Sequence, residues 1–416
     1  GVMDSKEQGG TEDGDDGVMG VWGEGGGIES MMDEMEAGMG KMRTEGEAAD
    51  EQTAAGSTSK ISWECEKMSI IATITENDAQ QVNGVCFQPD TATEVAEQQL
   101  PDGLAERDIT VDAGTGFPLD GKLTAPDGGK ALPLVVLVQG SGASGMDQVV
   151  GANRSFAQYA HALAGRGIAV MRYDKRTYKY PSSASKAAYT VQDEYIEDVK
   201  AAVELAKQQP ECDPERVYIL GHSQGGMLAP RFYDEGADVA GLIIFAGTPR
   251  SLVSILEDQQ QLFIDEWTVA GQTEQVAQYK AQQEVWRKGY EDLMAMDDAA
   301  AQASTQTVYE MPAYSIYEMD SYTPPIELIK KNNVPVLIMQ GENDMQVYAD
   351  KDFTMYQQQL ADFELATFKL YPGLNHLFMP SKATGLTEGI AEYDTPAEVS
   401  AEAMDDIAAW INDAGN

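Results

Sequence analysis

The residues best suited to chemistry surround Ser223, in the stretch 221–225, whose sequence is Gly-His-Ser-Gln-Gly. The mostly apolar run 216–220 predicts a strand before this stretch, and a helix-forming run follows it. Because glycines on both sides of a serine allow a tight turn from strand to helix, the pattern predicts a hydroxyl exposed at a helix N-terminus. The partial positive charge there stabilises an anion formed on a substrate carbonyl, so Ser223 is the predicted nucleophile of an acyl transfer.

A serine nucleophile needs a general base, and the sequence contains three histidines. His376 lies in a Pro-Gly loop after the last predicted strand, which is where a base can meet a nucleophile at the edge of a sheet. His161 lies far upstream in a helical segment, and His222 precedes Ser223, so its side chain should diverge from the serine hydroxyl. His376 is therefore the predicted base.

A carboxylate should orient the imidazole, and Asp344 is the predicted one. It follows the nearly continuous apolar run 334–340, which is typical of a parallel strand covered on both faces. Sites in open α/β sheets form at the carboxyl ends of such strands, which favours Asp344 over the many other acidic residues. Glu342 and Asp352 are the alternatives.

Two backbone N–H groups should hold the oxyanion that forms during the reaction. One is predicted at Gln224, the residue after the nucleophile. The other is predicted at Ser141, in the glycine-rich turn that follows the apolar run 134–138. Gly142 is the alternative donor, and it is also a predicted substrate contact.

The elements that must position these residues alternate between strand and helix. This alternation predicts an α/β fold with a mostly parallel, eight-stranded sheet, helices on both faces and two early antiparallel strands at one edge. The predicted strands lie at 108–112, 117–124, 134–138, 168–172, 216–220, 241–246, 335–340 and 366–370, and the helices at 153–165, 191–208, 224–233, 349–361 and 397–412.

The alternation breaks over residues 248–333, where a polar and aromatic insertion predicts a helical cap with helices near 251–268 and 272–295. Tyr314 and Tyr317 in this insertion are candidate substrate-binding residues, since aromatic rings can line an acyl or aryl pocket. The alternative is that these rings pack the cap onto the sheet.

Three charged residues, Arg172, Asp174 and Arg176, lie at the end of the predicted strand 168–172 and just after it. They lie at a strand's carboxyl end and could contact substrate. Local ion pairing that holds the loop is the preferred interpretation.

Taken together, residues 105–412 resemble an α/β-hydrolase of the bacterial secreted or lipoprotein esterase type. The motifs that carry this resemblance are 138–142, 171–176, 221–225, 340–347 and 374–379. Where that group usually has a histidine in the first motif, this chain has Gln139. The resemblance implies a carboxylic ester hydrolase in which Ser223, Asp344 and His376 form the catalytic triad. It implies a bacterial protein that is extracellular or at the cell surface, with a possible lipid anchor in the precursor.

Two other functions remain open. The same triad serves peptidases and thioesterases, and a homologue can keep the fold as a ligand-binding protein without catalysis. The sequence shows no metal-ligand spacing and no phosphate-binding loop, so neither a metal nor a cofactor is expected.

The composition narrows the range of partners. The 416 residues include 28 Lys and Arg against 69 Asp and Glu, for a formal net charge of −41. Such a surface repels nucleic acid and anionic membranes, so a small ester is the expected partner. No apolar run is long enough for a membrane span, and no signal peptide is recognised in this chain. The sequence gives no oligomeric state.

Three segments are predicted: a disordered acidic, Gly- and Met-rich tether at 1–58, a small β-hairpin and linker at 59–104, and the hydrolase domain at 105–416. The hairpin resembles the last two strands of the nuclear-transport-factor-like domain that precedes the hydrolase in related lipoproteins. Cys65 and Cys86 could be joined as a disulfide in this hairpin or remain two free thiols, and Cys212 would be unpaired.

Overall fold

The computed structural model describes residues 42–45, 49–53, 56–65, 69–76, 82–89, 95, 97–184 and 189–414. The chain divides into two compact units, one of residues 1–52 and 56–90 and the other of residues 91–416 with 53–55. Each unit is organised around a β-sheet of its own.

The first unit contains a five-stranded sheet, which corrects the prediction of a tether that extends to residue 58. The pairings resolved in it are antiparallel, and β3 lies between β1 and β4 with β2 also paired to it. The predicted hairpin corresponds to β4 and β5. The short strands β1 and β2 consist mostly of polar and charged residues, so no apolar pattern marks them in the sequence; residues 1–41 lie outside the described part. The strands are β1 (Met42–Glu45), β2 (Ala49–Thr53), β3 (Gly56–Cys65), β4 (Ser69–Glu76) and β5 (Val82–Pro89).

The strand register separates the two cysteines of this unit. Cys65 ends β3, Cys86 lies in β5, and β4 runs between these strands. Strands two apart in a sheet are about 10 Å from each other, whereas the Cα atoms of a disulfide lie within about 7 Å. The backbone therefore opposes the disulfide alternative.

The second unit contains all eight strands predicted for the hydrolase domain, in the order β17-β16-β13-β12-β8-β11-β7-β6. The strands from β17 to β11 are parallel, and β7 pairs antiparallel with both β11 and β6. The strands are β6 (Leu104–Val111), β7 (Leu119–Pro126), β8 (Leu132–Val138), β9 (Val149–Val150), β10 (Asn153–Arg154), β11 (Ala169–Tyr173), β12 (Cys212–His222), β13 (Gly241–Phe245), β14 (Thr307–Val308), β15 (Met311–Pro312), β16 (Val336–Gly341) and β17 (Ala366–Tyr371).

Helices alternate with these strands as predicted. Two π-helical turns, Gln192–Ile196 and Ala349–Phe353, each begin a predicted helix, and a 3₁₀ turn spans Pro181–Ala184. The α-helices are α1 (Ser155–Ala164), α2 (Arg176–Lys179), α3 (Glu197–Lys207), α4 (Gln224–Asp234), α5 (Leu252–Val269), α6 (Thr273–Met294), α7 (Asp298–Gln302), α8 (Ala313–Ser321), α9 (Pro325–Asn332), α10 (Thr354–Gln359), α11 (Leu386–Glu392) and α12 (Ala401–Ala414).

The apolar core lies on both faces of the large sheet. In β8, Val136 and Val138 pack into one cluster with residues of α3 and α4, whereas Val135 and Leu137 pack into a second cluster with α1 and α12. Because successive side chains of a strand point to opposite faces, a strand covered twice must be apolar throughout. The prediction of a mostly parallel sheet with helices on both faces is confirmed.

The insertion between β13 and β16 is helical, as predicted, and contains α5 to α9. Part of it has a small apolar core of its own, which includes Val253, Leu293 and Ile316. In the described part of the chain, no helix is both long and apolar enough to cross a membrane.

Candidate active site

Ser223 occupies a strained turn between β12 and α4. Its backbone has φ 55° and ψ −118°, a conformation that L-residues rarely adopt. A Cβ atom on Gly221 would lie 2.1 Å from the carbonyl oxygen of Gly225, and one on Gly225 would lie 2.6 Å from that of Gln139. Only glycine fits at these two positions, so the turn has the geometry that the sequence predicts.

His376 and Asp344 form a buried pair at the carboxyl ends of the parallel strands, the same end of the sheet as Ser223. Nδ1 of His376 lies 2.7 Å from Oδ2 of Asp344, and the two side chains are 2% and 0% exposed. The other carboxylate oxygen, Oδ1, accepts hydrogen bonds from the backbone N–H groups of Gln346 and Val347 at 2.8 and 3.0 Å. A carboxylate held in this way keeps the imidazole proton on Nδ1, which leaves the lone pair on Nε2.

The Nε2 atom of His376 is buried and has no hydrogen-bond partner among the described residues. Unpaired buried polar atoms are uncommon in folded proteins, and a basic nitrogen of this kind suits proton transfer. The alternative acids are placed elsewhere. Glu342 is exposed, and Asp352 accepts hydrogen bonds from Thr248 and Arg250. Among the predicted acids, only Asp344 contacts His376.

His222 supports the loop of His376. Its Nε2 lies 2.9 Å from the carbonyl oxygen of His376, and its Nδ1 lies 2.9 Å from Nε2 of Gln148. Since a carbonyl only accepts hydrogen bonds, Nε2 of His222 must carry the proton. Burial, together with the neighbouring His376, lowers the pKa of His222 to about 3, so this ring is neutral at physiological pH.

His161 lies away from these groups, as expected. Its Nε2 is 3.8 Å from Glu106 in β6, at the opposite edge of the sheet from β17.

The loop after β8 lies directly beside Ser223. A Cβ atom on Gly140 would be 3.0 Å from the Cβ of Ser223. Ser141 and Gly142 are exposed, and Gly142 has a φ of 77°. The predicted oxyanion residues Ser141 and Gln224 therefore follow two neighbouring strands, β8 and β12.

Gln139 stands where the related esterases usually have a histidine, and the Gln139 side chain forms a hydrogen bond. The amide nitrogen of Gln139 donates to the carbonyl oxygen of Tyr173 and so joins the ends of β8 and β11. The departure from the usual motif is accommodated within the sheet.

Two of the three charged residues noted here, Arg172 within β11 and Arg176 after it, form ion pairs, in agreement with the preferred interpretation. Arg172 contacts Asp147 at 2.9 Å, and Arg176 contacts Asp198 at 2.7 Å. Sequence reasoning missed Lys175 between them, which is buried and contacts the loop after β8, and it missed Tyr195. The signal for Lys175 was its position at a strand's carboxyl end.

Neither Tyr314 nor Tyr317 forms a hydrogen bond with Ser223 in the described part of the chain. The hydroxyl of Tyr314 donates to Asp298 at 3.0 Å and that of Tyr317 to the carbonyl oxygen of Met296 at 3.3 Å, so both rings are engaged within the cap. These contacts favour the packing alternative, and a substrate-binding role for the two tyrosines stays a prediction. The cap contacts the turn that contains Ser223 through Met319, whose sulfur lies 3.6 Å from the side-chain nitrogen of Gln224.

A cavity of about 340 Å³ lies between α4 and the cap. Met227, Met319 and Met355 contribute apolar walls, and Arg231 and Arg250 contribute polar ones. Met319 lines this cavity and also contacts the side chain of Gln224.

Comparisons with known proteins gave three kinds of match. The family model described as serine aminopeptidase, S33 (Hydrolase_4) matches residues 151–381. Esterase EstD of Thermotoga maritima is 30% identical over 344 residues, which cover 82% of this chain and 76% of that protein.

Two solved structures illustrate the third kind of match. Est1E from Butyrivibrio proteoclasticus has 15% identity and a TM-score of 0.43, and the match covers 74% of this chain and 98% of Est1E. The hyperthermophilic esterase from Pyrobaculum calidifontis has 18% identity and a TM-score of 0.42, with 75% and 86% covered.

Proposed function

Because this chain belongs to the serine aminopeptidase S33 family of α/β-hydrolases, we propose that it cleaves carboxylic esters through Ser223, His376 and Asp344. It is an esterase-type hydrolase, in keeping with its relationship to EstD. One combination of features carries the proposal. Ser223 occupies a strained turn, and His376 forms a buried pair with Asp344 while its Nε2 has no hydrogen-bond partner among the described residues.

The proposed reaction has two steps. In the first, Oγ of Ser223 attacks the ester carbonyl carbon while its proton passes to Nε2 of His376. The N–H groups of Gln224 and Ser141 hold the oxyanion, the C–O bond of the ester breaks, and the alcohol leaves with the proton from His376. In the second, water attacks the acyl-enzyme and gives a proton to His376, and release of the acid returns that proton to Ser223.

Asp344 is assigned the task of orienting His376 and stabilising its charged form. Its three hydrogen-bond donors besides His376 are Gln340, Gln346 and Val347. These hydrogen bonds hold the carboxylate of Asp344 in place against the imidazole.

A peptidase acting on amides is the second candidate, and the description of the family model favours it. Parallel assays with ester, aminoacyl-amide and thioester substrates of matched acyl group distinguish these activities. Turnover of the ester at the highest kcat/KM supports the main proposal, whereas preferential turnover of the amide supports the second candidate. The paired His376 and Asp344 argue against a binding protein without catalysis.

We also propose that the protein acts outside the cytoplasm or at the cell surface. The proposal is supported by the resemblance to secreted and lipoprotein esterases and is compatible with the net charge of −41. Fractionation of the source cells tests it, since recovery of the full-length protein only in the cytoplasm contradicts the proposal.

Labelling with a fluorophosphonate probe tests the nucleophile. We expect the probe to label Ser223, as located by peptide mapping, and we expect Ser223→Ala to abolish both labelling and ester turnover. Asp344→Asn should lower kcat by about 10³- to 10⁴-fold, whereas the matched change Glu342→Gln at an exposed position should leave kcat within about twofold of the wild type. A folded wild-type protein that is not labelled at Ser223 would contradict the proposal.

A further inference from the structure

Two buried side chains, Lys175 and Tyr195, contact the loop of Ser141 and have no part in the mechanism given above. Lys175 follows β11, and its side chain is 2% exposed. Tyr195 is also 2% exposed and lies in the π-helical turn Gln192–Ile196. Short π-helical turns within helices occur frequently at functional sites.

Both side chains bind the same carbonyl group. Nζ of Lys175 donates to the carbonyl oxygens of Gly140 and Gly142, each at 2.9 Å. The hydroxyl of Tyr195 donates to the carbonyl oxygen of Gly140 at 2.6 Å. These two donors therefore fix the loop on both sides of Ser141.

The position of the Gly140 carbonyl matters because it shares a peptide unit with the N–H of Ser141. A trans peptide unit is planar, so its C=O and N–H point in opposite directions. Fixing the oxygen of Gly140 consequently fixes the direction of the Ser141 N–H group. A cation at the oxygen also polarises the peptide and strengthens the hydrogen bond that its N–H can donate.

The same pair reaches the other oxyanion residue. The hydroxyl of Tyr195 lies 3.0 Å from the side-chain Oε1 of Gln224, and Nζ of Lys175 lies 2.7 Å from that hydroxyl. One hydrogen-bonded lysine–tyrosine pair therefore contacts the side chain of Gln224 and the carbonyl groups on both sides of Ser141.

Nearby groups balance the positive charge of the buried Lys175 side chain. Burial lowers the pKa of Lys175, and Glu194 opposes this shift from 2.5 Å away. Its ammonium also lies 4.1 Å from the centre of the Tyr195 ring. Burying an ammonium group costs desolvation free energy unless the charge is well paired, as Lys175 is by Glu194.

We propose that Lys175 and Tyr195 are positioning residues of the oxyanion hole, which hold the peptide between Gly140 and Ser141 with its N–H directed at the substrate oxyanion. This inference rests on the proposed serine hydrolase function. The pair acts through the peptide and through Gln224, and it makes no direct contact with substrate.

The test uses Lys175→Met and Tyr195→Phe in the full chain, with kcat, KM and the inhibition constant of a trifluoromethyl ketone as readouts. Such a ketone forms an oxyanion on the serine and so reports the oxyanion hole directly. Removing one oxyanion donor outright costs about 10²- to 10³-fold in kcat, so we expect about 10- to 100-fold for Lys175→Met and about 3- to 10-fold for Tyr195→Phe. KM should stay within about twofold, and affinity for the ketone should fall in parallel with kcat.

Matched controls are available nearby. Lys179 and Tyr180 are a second buried lysine and tyrosine, and both donate to the carbonyl oxygen of Pro118. Lys179→Met and Tyr180→Phe should leave kcat per labelled site unchanged. Because Lys175→Met leaves Glu194 without its cation, the double variant Lys175→Met, Glu194→Gln guards against a variant that fails to fold.

The outcomes separate the two proposals. Rates are expressed per site labelled by the fluorophosphonate, so partial unfolding does not imitate a loss of kcat. If the wild type is labelled at Ser223 and folded variants of Lys175 and Tyr195 keep kcat and ketone affinity within about twofold, this inference is overturned while the proposed function stands. A wild type that is not labelled contradicts the proposed function itself.

Discussion

His222 and His376 are adjacent histidines to which their hydrogen-bond partners give different properties. Their ring centres are 4.6 Å apart, and both are buried. His376 faces a carboxylate through Nδ1, whereas His222 is held between the amide of Gln148 and a backbone carbonyl. Of the two rings, His376 is the one hydrogen-bonded to a carboxylate, which would stabilise the charged ring formed in the proposed proton transfer.

The lowered pKa of His222 predicts acid destabilisation. With a pKa of about 3 in the folded protein, against 6.5 as the ordinary value, the ring favours the folded state above pH 6.5 and loses that contribution as pH falls towards 3. From pH 7 to pH 4.5 the loss from this group is about 2 to 3 kcal/mol in the free energy of unfolding. Urea unfolding of the wild type and of His222→Asn at both pH values measures it.

The comparison depends on the difference between the two pH values and not on the stability of either protein. His222→Asn should lose less stability than the wild type over this interval, since asparagine does not titrate. Equal losses in the two proteins would show that His222 is protonated as readily in the folded state as in the unfolded chain.

Individual site residues were predictable where they follow a strand that the sequence marks clearly. Ser223 and Asp344 each follow an apolar run that ends in a turn, and His376 follows the last predicted strand; parallel strands place such turns at one end of the sheet. Tyr195 could not be found in this way because it lies in a helical turn and reaches the site by tertiary packing. The aromatic character of Tyr314 did not distinguish the packing of the cap from the lining of a pocket.

At the level of elements, the proposed nucleophile is presented by the strand–turn–helix formed by β12, Ser223 and α4. Its tightness comes from close backbone approaches: Gly225 lies against the carbonyl oxygens of Val138 and Gln139 in β8 and the loop that follows. The turn of Ser223 therefore packs directly against β8 and the loop that contains Ser141. We expect a change in the packing of this turn to move that loop as well.

Two glycine substitutions should have opposite effects on stability. In Gly225→Ala the new methyl group would lie 2.6 Å from two backbone oxygens, which should lower the free energy of unfolding by about 2 to 3 kcal/mol. In Gly289→Ala, within α6, the nearest atom is 3.8 Å away, and alanine should raise it by about 0.5 to 1 kcal/mol through helix propensity. Chemical denaturation measures both. A Gly225→Ala variant as stable as the wild type would refute the close approach.

The strands of the large sheet were predicted more completely than those of the first unit. The eight hydrolase strands are apolar or alternate regularly because the sheet is covered by helices. The strand β2, Ala-Asp-Glu-Gln-Thr, carries no such pattern, and its pairing with β3 is a long-range property that local sequence does not encode.

At the scale of the whole molecule, every residue assigned to the proposed site belongs to the second unit. Ser223, Asp344, His376, Ser141 and Gln224 all lie between residues 140 and 377. The five-stranded sheet of the first unit contributes none of them.

A chain that begins at Thr91 should therefore keep the activity. We expect residues 91–416 to hydrolyse a p-nitrophenyl ester with kcat/KM within about twofold of the full chain, because that unit has its own core and all the proposed catalytic groups. Far-ultraviolet circular dichroism confirms that the shorter chain is folded. A folded but tenfold less active product would mean that the first unit contributes to the site.

The order of strands in the large sheet has an evolutionary consequence. His376, Asp344, Ser223 and Ser141 follow β17, β16, β12 and β8, so hydrogen bonds between strands set the spacing of the groups proposed to react. The insertion that contains α5 to α9 interrupts the chain between β13 and β16 without supplying any of these groups. Substitutions, insertions and deletions there can accumulate over generations and redirect the enzyme to new esters, while the chemistry inherited with the sheet is preserved.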